Sequence, residues 1–351
     1  MSHTLLITGS SGYVGSMLVA KFIKRPDVAL IIGIDKDPEN DLTKSLPREI
    51  RDKFVFIQDN LANNTWQHKL EKFNIDTAVH CAWQIRRIYG NKSLSYDWNI
   101  NGSKNLFDLV WKNQIPKLIH FSTVASYGAQ KDNSLNNFFK EEDKLRESSY
   151  HYAEEKRLVE KILEEKVADA KATREWVPQI SVIRPASITG PRRKSNSKHF
   201  NLQSALSGKL SGSFSGIVKL LTSRVPVTHS WLRQYVHEDD VIGIVEKLAF
   251  TEKGDHGYEV FNACPPGEPV LGSDMANMVN KKVLYVHPQI VRVAFYAIWH
   301  ATFGRVPTSP GSWLTYSYPI PVDGSKITRN YAYNYKFNTR EAFTTPKGNF
   351  K

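Results

Sequence analysis

Short apolar segments alternate with longer amphipathic segments over the first half of the sequence, and no other feature constrains the fold as much. Segments such as TLLITG and ALIIGID are apolar at consecutive positions, so both faces of the strands they form would be buried. The stretches between them, such as YVGSMLVAKFIKR, are typical of amphipathic helices. This alternation predicts the α/β fold class, as a doubly wound Rossmann-type parallel sheet.

Three glycines lie between the first predicted strand and the first predicted helix, in the segment GSSGYVG. A helix N-terminus has unpaired N–H groups and attracts anions, and glycines let a diphosphate approach the backbone closely. The spacing G-x-x-G-x-x-G differs from the commoner G-x-G-x-x-G. Its position at a strand–helix junction nevertheless favours a dinucleotide site over a purely structural turn.

The second predicted strand ends at Asp35, about twenty residues after Gly15. A carboxylate there accepts hydrogen bonds from ribose hydroxyls and repels a 2′-phosphate, which favours NAD over NADP. The neighbouring Lys36 could tolerate that phosphate, so NADP is not excluded.

Tyr152 and Lys156 are four residues apart on a predicted helix and therefore lie on one face of it. A neighbouring ammonium favours the phenolate form of tyrosine, which could then exchange a proton with a substrate hydroxyl. Thr123 follows a predicted strand at the sheet edge where such folds bind ligands. The same spacing also occurs by chance on helices, so the pair alone does not establish catalysis.

Taken in order, these motifs form a recognisable set. TGSSGYVG, Asp35, QDNL, HCAW, Asn99, FSTVASYG, Tyr152 with Lys156, IRPASITGPR and RQYVHEDDV together resemble the extended short-chain dehydrogenase/reductase family. The most similar branch is that of the NAD-dependent epimerases and dehydratases, in particular the nucleoside-diphosphate-sugar 4-epimerases. The resemblance runs from residue 4 to about residue 345 and is densest in the first 190 residues.

The resemblance implies a role for each matching residue. Thr123, Tyr152 and Lys156 would be catalytic, Tyr152 as the acid/base and Lys156 as the group that lowers the pKa of the phenol. Asn99 would be a supporting residue that orders the cofactor site. The other implied cofactor contacts, beside Tyr152 and Lys156, are Gly9, Gly12, Tyr13, Val14 and Gly15 at the pyrophosphate, Asp35 at the ribose, Asp59 and Asn60 at the adenine, Ala82, and Pro185 near the nicotinamide.

The implied substrate-binding residues are Trp83, Thr123, Ser187 and Arg233. Sugar-nucleotide 4-epimerases usually have an asparagine that binds the diphosphate where this chain has Ser187. Arg233 lies where they have a diphosphate-binding arginine. The acidic residue that dehydratases have after the Ser/Thr position is replaced by Val124, which argues against a dehydratase.

The pattern of alternation weakens after Pro185 and predicts two units. Residues 1–186 are expected to form the NAD-binding Rossmann domain, with residues 234–263 returning to it. Residues 187–233 and 264–351 are expected to form a smaller, irregular substrate-binding lobe. The basic run Pro191–Lys198 could be a flap that attracts anions or a solvated loop.

The net charge of +12 favours anionic small molecules, whereas no zinc spacing or aromatic–basic pattern predicts a metal or a specific nucleic-acid partner. Two cysteines and no leader-like N-terminus predict a reducing, cytoplasmic location. No membrane span is expected. The apolar segment Ile290–Phe303 is interpreted as a packing helix, with a membrane-surface helix as the alternative.

The sequence therefore predicts an NAD-dependent enzyme that acts on a secondary alcohol, presumed to be that of a nucleotide sugar, through a transient ketone. A dehydrogenase or reductase of a bulky non-sugar alcohol, using NAD or NADP, is the first alternative. A non-catalytic dinucleotide sensor or nucleic-acid-binding relative is the second. The family resemblance also implies a homodimer, which would pair the helices near residues 96–113 and 149–172.

Overall fold

A seven-stranded parallel sheet forms the centre of the structure, a computed structural model that describes residues 2–192, 224–251, 257–278 and 281–350. The strand order is β3-β2-β1-β4-β5-β6-β11, and every neighbouring pair is parallel. The strands are β1 (His3–Thr8), β2 (Val28–Asp35), β3 (Phe54–Gln58), β4 (Thr77–His80), β5 (Lys117–Phe121), β6 (Gln179–Pro185) and β11 (Tyr258–Ala263). The predicted fold class is confirmed.

Both faces of this sheet are covered, as the continuous apolar strands predict. In β1, Leu5 and Ile7 pack into one hydrophobic core while Leu6 packs into the other. All three side chains are fully buried. Helices therefore lie on each face of the sheet, which leaves its strand ends as the place where a ligand can bind.

The helices that surround the sheet follow the predicted alternation. They are α1 (Tyr13–Phe22), α2 (Asp41–Lys44), α3 (Arg48–Arg51), α4 (Lys92–Tyr96), a π-helical turn (Asp97–Asn101), α5 (Gly102–Lys112), α6 (His151–Ala172) and α7 (Glu238–Phe250), with 3-10 turns at Gln67–Leu70 and Val124–Tyr127. Between β3 and β4 the described chain forms only the first of these 3-10 turns. Trp66 is fully buried there, and Lys69 reaches back to Asp59, so the segment stays short.

The order in which the chain adds strands to the sheet reverses at β1. The first three strands proceed to one side, and the chain then crosses to β4 on the other side of β1. The last residues of these two strands, Thr8 and His80, are register partners. Ligands bind at such a switch point in open α/β sheets, so the carboxyl ends of β1 and β4 locate the site.

A smaller lobe with its own core lies beyond the sheet. The elements outside the sheet are β7 (Ser187–Thr189), β8 (Arg224–Val227), β9 (Leu232–Arg233), β10 (Tyr235–His237), β12 (Val270–Leu271), α8 (Gly272–Met278), β13 (Lys282–Tyr285), α9 (Pro288–Ala301), a 3-10 turn (Ser312–Tyr316), α10 (Lys326–Tyr331) and α11 (Thr339–Thr344). Of these, β10 and α10 contribute Val236, Ile327 and Tyr331 to the core of the sheet. Val227, Trp231 and Met275 are buried at the centre of this lobe. Most of the basic run Pro191–Lys198 lies outside the described residues.

Helix α9 differs from its expected role. The segment Ile290–Phe303 was interpreted as a packing helix, but within α9 only Trp299 is buried. Ile290 and Val293 are 59% and 67% exposed. The packing interpretation is therefore wrong for most of the helix, because its apolar residues extend around a side that none of the described elements covers.

Candidate active site

The glycine segment forms a tight cradle between β1 and α1. Gly9 has φ +71°, and a Cβ there would lie 2.6 Å from the backbone nitrogen of Ala82. A Cβ at Gly15 would collide with the carbonyl oxygen of Gly9. Side chains are thus excluded at both positions, and the loop packs directly against the end of β4.

The start of α1 has the properties of an anion site. Gly12 is the N-cap and offers no side chain to cap the helix, and the first turn contains no acidic residue. Within the described part of the chain, the buried hydroxyl of Ser11 has no hydrogen-bond partner. The first-turn residues Tyr13 and Val14 are half-buried. Unpaired N–H groups and an unused hydroxyl fit the pyrophosphate of a dinucleotide.

Asp35 lies beside this cradle at the end of β2. Its carboxylate accepts hydrogen bonds from the backbone nitrogens of Ser11 at 2.9 Å and Asp37 at 3.0 Å. Burial raises its pKa above the ordinary value, although both hydrogen bonds oppose the shift. Lys36 pairs with Asp37 at 2.9 Å and lies 4.9 Å from the centre of the Trp98 ring. The cation that could have favoured a 2′-phosphate is therefore engaged elsewhere.

Asp59 and Asn60 follow β3 on the same side of the sheet. The Asp59 carboxylate lies 2.7 Å from the Lys69 ammonium and accepts from the backbone nitrogen of Asn60 at 2.8 Å. Burial acts to raise the pKa of Asp59, but the bond from Lys69 helps to bring it below its ordinary value. Both side chains hold the turn together, and the adenine contacts expected of them remain a prediction.

Lys156 is buried on α6 near the middle of the sheet edge. Its ammonium donates to the carbonyl oxygen of Phe121 at the end of β5 and lies 3.6 Å from the centre of the Trp83 ring. Burial lowers its pKa to about 7, and the nearby Cys81, Glu160 and Glu155 only partly offset this. The helix thus places a titratable amine one turn from Tyr152.

Tyr152 and Thr123 line the same cavity beside Lys156. Thr123 caps the 3-10 turn after β5, where its hydroxyl oxygen accepts from the backbone nitrogen of Ala125 at 3.2 Å. The O–H of Thr123 can then donate to a substrate oxygen. Tyr152 is half-buried, as a residue that exchanges a proton with a bound molecule must be.

Glu155 was missed by sequence reasoning, although it lies between Tyr152 and Lys156. Its carboxylate is buried, accepts from Asn99 Nδ2 at 2.6 Å and lies 2.9 Å from His151 Nε2. The Asn99 side chain also makes two hydrogen bonds with the backbone of Gln84. Its Oδ1 accepts from the Gln84 N–H at 2.7 Å, and its Nδ2 donates to the Gln84 carbonyl oxygen at 3.1 Å. The sequence did contain a signal for Glu155: an acidic residue on the buried face of the helix that carries Tyr152 and Lys156. Asn99 is held by protein groups in the π-helical turn and fixes the loop that carries Trp83.

A cavity of about 380 Å³ extends from Thr123 and Tyr152 into the smaller lobe. Pro185, Ser187 and Arg233 also line it. Arg233 donates to the Ser187 hydroxyl at 3.2 Å, and its guanidinium lies 4.7 Å from the centre of the Tyr316 ring. Trp83 does not line this cavity, because its ring lies against Lys156 on the other side. Aromatic side chains form much of the wall: Tyr150, Tyr235, Trp299, Tyr316, Tyr318 and Phe343.

Other candidate groups have structural roles. His80 bonds Thr8 and Ser103 at 2.8 Å each, and burial lowers its pKa to about 3, so it is a satisfied neutral histidine. His237 caps α7, and its Nδ1 accepts from the Asp239 nitrogen at 3.1 Å. The described ranges contain no group of three residues suited to a metal ion. They also contain no helix long and apolar enough to cross a membrane.

The sequence matches a family model over residues 5–264. The model is that of the NAD dependent epimerase/dehydratase family. The chain belongs to this family. The expected family and an NAD-dependent enzyme of the extended short-chain dehydrogenase/reductase type are thereby confirmed, and the glycine cradle with Asp35 fits the NAD cofactor.

Curated members resemble the chain only over part of their length. An N-acetyl-alpha-D-glucosaminyl-diphospho-ditrans,octacis-undecaprenol 4-epimerase of Escherichia coli O157:H7 is 28% identical over 211 residues, which cover 59% of this chain and 55% of that protein. The short-chain dehydrogenase/reductase family 42E member 1 of Macaca fascicularis is 27% identical over 205 residues, which cover 54% and 47%. The matched region thus spans about half the length of these relatives.

A solved epimerase structure shares the fold over nearly the whole chain. The UDP-glucose 4-epimerase of Bifidobacterium longum in complex with NAD+ and UDP superposes with a TM-score of 0.68 at 16% identity, covering 98% of this chain and 96% of that one. At this identity the similarity shows the family fold alone.

Proposed function

We propose that the protein inverts a secondary hydroxyl of a diphosphate-linked sugar through a transient ketone, as a 4-epimerase does. One observation carries the proposal: a single cavity is lined both by Thr123 and Tyr152 and by the Ser187–Arg233 pair. The first pair suits hydroxyl chemistry, and a guanidinium suits a diphosphate. The Escherichia coli relative, whose substrate is a diphosphate-linked amino sugar, supports this choice.

The chain's own residues would handle the proton. Thr123 donates its O–H to the substrate oxygen, and Tyr152 as phenolate takes the hydroxyl proton from that oxygen. Bound NAD supplies the hydride acceptor, and later the donor, for the carbon. The ketone then turns in the cavity, so the hydride returns to its opposite face while Tyr152 gives the proton back. Atoms and electrons balance with no net consumption of NAD.

Lys156 would support the phenolate through its charge. Its pKa of about 7 means that the charged fraction of the amine decreases above neutral pH. The residue would also contact the nicotinamide ribose, as the family resemblance implies. Ser122 supports a ligand at this edge, because its buried hydroxyl has no partner within the described ranges.

The proposal can be tested with a panel of uridine-diphosphate sugars. We expect stereochemical inversion at C4 without net NADH, measured by product chromatography and absorbance. Tyr152→Phe should lower the rate by about 10²–10⁴-fold, because the proton acceptor is lost. Tyr150→Phe is the matched control, since Tyr150 lines the same cavity without the four-residue spacing to Lys156. Absence of inversion over the whole panel, or full activity in Tyr152→Phe, would contradict the proposal.

A second candidate is a dehydrogenase or reductase of a bulky non-sugar alcohol. The aromatic wall of the cavity favours it, and so does the family 42E relative. This reaction would produce NADH in amounts equal to the ketone. Substrate-dependent net NADH with hydrophobic alcohols, and none with sugar nucleotides, would favour it over epimerisation.

The organisation of the molecule belongs to the same proposal. Residues 1–186 with 234–263 would bind NAD, and residues 187–233 with 264–351 would bind the substrate. Helices α5 and α6 pack beside each other, and we propose that two copies pair them into a four-helix bundle. Sedimentation velocity should then show a dimer, and a monomer at micromolar concentration would contradict the pairing.

A further inference from the structure

Helix α9 presents an uncharged, apolar face to its surroundings. The residues on this face are exposed and follow helical spacing: Ile290, Val293, Ala294, Ala297 and Ala301. On the opposite side Trp299 is buried, and Arg292 lies 5.8 Å from the centre of the Trp313 ring. An ordinary surface helix has the reverse arrangement, with its apolar stripe turned inward.

The exposed apolar surface continues beyond the helix. We define the α9 face as Ile290, Val293, Tyr296, Ile298 and Phe303, and Phe303 is 71% exposed. Phe303 contacts the Tyr89 ring edge-on, with the ring centres 5.7 Å apart. Most exposed large apolar side chains of the described ranges lie on or beside this face, and contiguous patches of this kind mark interaction sites.

We propose that the α9 face docks on an anionic membrane surface. The surrounding segment supplies the matching charge, because no aspartate or glutamate occurs between Asp274 and Asp323. Lys282, Arg292 and Arg305 are exposed within it. An apolar helix face with neighbouring cations is the combination that binds anionic lipid headgroups.

A second copy of the chain fits this face less well. A two-fold contact through α9 would bring the Lys282 and Arg305 cations of both copies into one interface, where they repel because the segment has no carboxylate to neutralise them. Anionic headgroups remove that repulsion. The helix has 14 residues and spans about 21 Å, too short to cross a bilayer, so it would lie in the membrane plane.

Docking would place the helix that lines one side of the cavity against the lipid surface. Trp299 and Gly304, on and just after α9, line the cavity, and so does the exposed Ile85 near Tyr89.

The proposal goes beyond the proposed function and does not depend on it, because binding to lipid can be measured without any substrate.

The test is cosedimentation of the full chain with vesicles. Phosphatidylcholine vesicles containing about 30% phosphatidylserine should bind the protein, and binding should decrease at about 0.5 M salt and be weak without the anionic lipid. The variant Ile290→Asp/Val293→Asp should reduce the bound fraction by about tenfold or more. Leu135→Asp is the matched control, since Leu135 is 46% exposed and lies outside the α9 face.

A second variant guards against misfolding of the first. Lys282→Glu/Arg305→Glu leaves the α9 face intact and should also weaken binding to anionic vesicles by about tenfold or more. Wild-type protein that stays in the supernatant with anionic vesicles overturns the proposal. So does unchanged binding of folded Ile290→Asp/Val293→Asp. If that variant instead converts a wild-type dimer that binds no vesicles into a monomer, the face joins two copies and the proposal fails.

Discussion

The side-chain amide of Asn99 donates to a carboxylate oxygen of Glu155 at 2.6 Å. This bond joins the π-helical turn before α5 to α6, the helix that carries Tyr152 and Lys156. The same amide holds Gln84 through its backbone, and Trp83 lies against the Lys156 ammonium. The position of the Trp83 loop therefore depends on one asparagine.

Asn99→Ala should loosen this loop and leave the buried Glu155 with one hydrogen bond fewer. We expect the free energy of unfolding to fall by about 1–3 kcal/mol, the cost of an unsatisfied buried polar group. NAD affinity should fall as well, measured by calorimetric titration beside urea unfolding. Asn101→Ala is the control, because the Asn101 amide in the same π-helical turn donates to the Asp97 carboxylate, at 2.8 Å. Equal effects of both substitutions would contradict the role given to Asn99.

The low pKa of Lys156 predicts a pH dependence of stability. The folded-state pKa of about 7 lies below the value near 10.5 of the unfolded chain, so the unfolded state binds more protons between these pH values. Stability should therefore rise with pH above about 7. Below pH 7 the amine is charged in both states, so the folded protein carries the full cost of burying that charge. Relative to Lys156→Met, the wild type should gain about 2 kcal/mol between pH 7 and 9.

Urea unfolding at several pH values measures this difference. Lys161→Met is the control, because Lys161 is largely exposed on the same helix and pairs with Glu165 at 3.3 Å. If the difference in the free energy of unfolding between wild type and Lys156→Met stays constant over this range, the pKa of the Lys156 amine is not depressed.

Gly15→Ala should disrupt the cradle, because its Cβ would meet the carbonyl oxygen of Gly9. The backbone must shift, which costs about 1–3 kcal/mol of stability and misaligns the first-turn N–H groups of α1. NAD affinity should fall about tenfold or more. Fluorescence titration with NAD checks this, and Gly257→Ala, where a Cβ meets nothing within 4 Å, should leave affinity unchanged.

Asp35→Asn should reduce the preference for NAD. The carboxylate that accepts ribose hydrogen bonds and repels a 2′-phosphate becomes neutral. The ratio of kcat/KM for NADP to that for NAD should rise about tenfold or more. Asp37→Asn provides the comparison, since Asp37 is exposed and pairs with Lys36. An unchanged ratio in Asp35→Asn would remove the basis for its ribose contact.

Arg233→Ala should weaken substrate binding more than chemistry. With a diphosphate-linked sugar we expect KM to rise about tenfold or more and kcat to change little, because the guanidinium is proposed to bind the diphosphate and not the reacting hydroxyl. Steady-state kinetics separate the two constants. Arg340→Ala removes a lobe arginine that pairs with Asp274 at 2.7 Å and should leave KM unchanged. A fall in kcat alone would contradict this placement.

Local patterns in the sequence predicted the fold and the centre of the site. The apolar strands, the glycine spacing and the distance from Tyr152 to Lys156 all act within a few residues or one helical turn. Contacts between distant segments could not be read in this way. The bond from Asn99 to Glu155, the stacking of Trp83 on Lys156, and the contact of Arg233 with Tyr316 depend on how elements pack. The outward face of α9 was missed because its apolar sequence alone does not show which side a neighbour covers.

Tyr152, Glu155 and Lys156 share one long helix, whereas Ser187, Arg233 and Tyr316 come from three separate short segments. A change on the helix alters proton transfer, loop anchoring and cofactor contact together. The three short segments lie outside that helix, although Arg233 joins them to one another. Redesign of substrate preference should therefore begin in the lobe, where single exchanges can accumulate while the reacting groups stay in register.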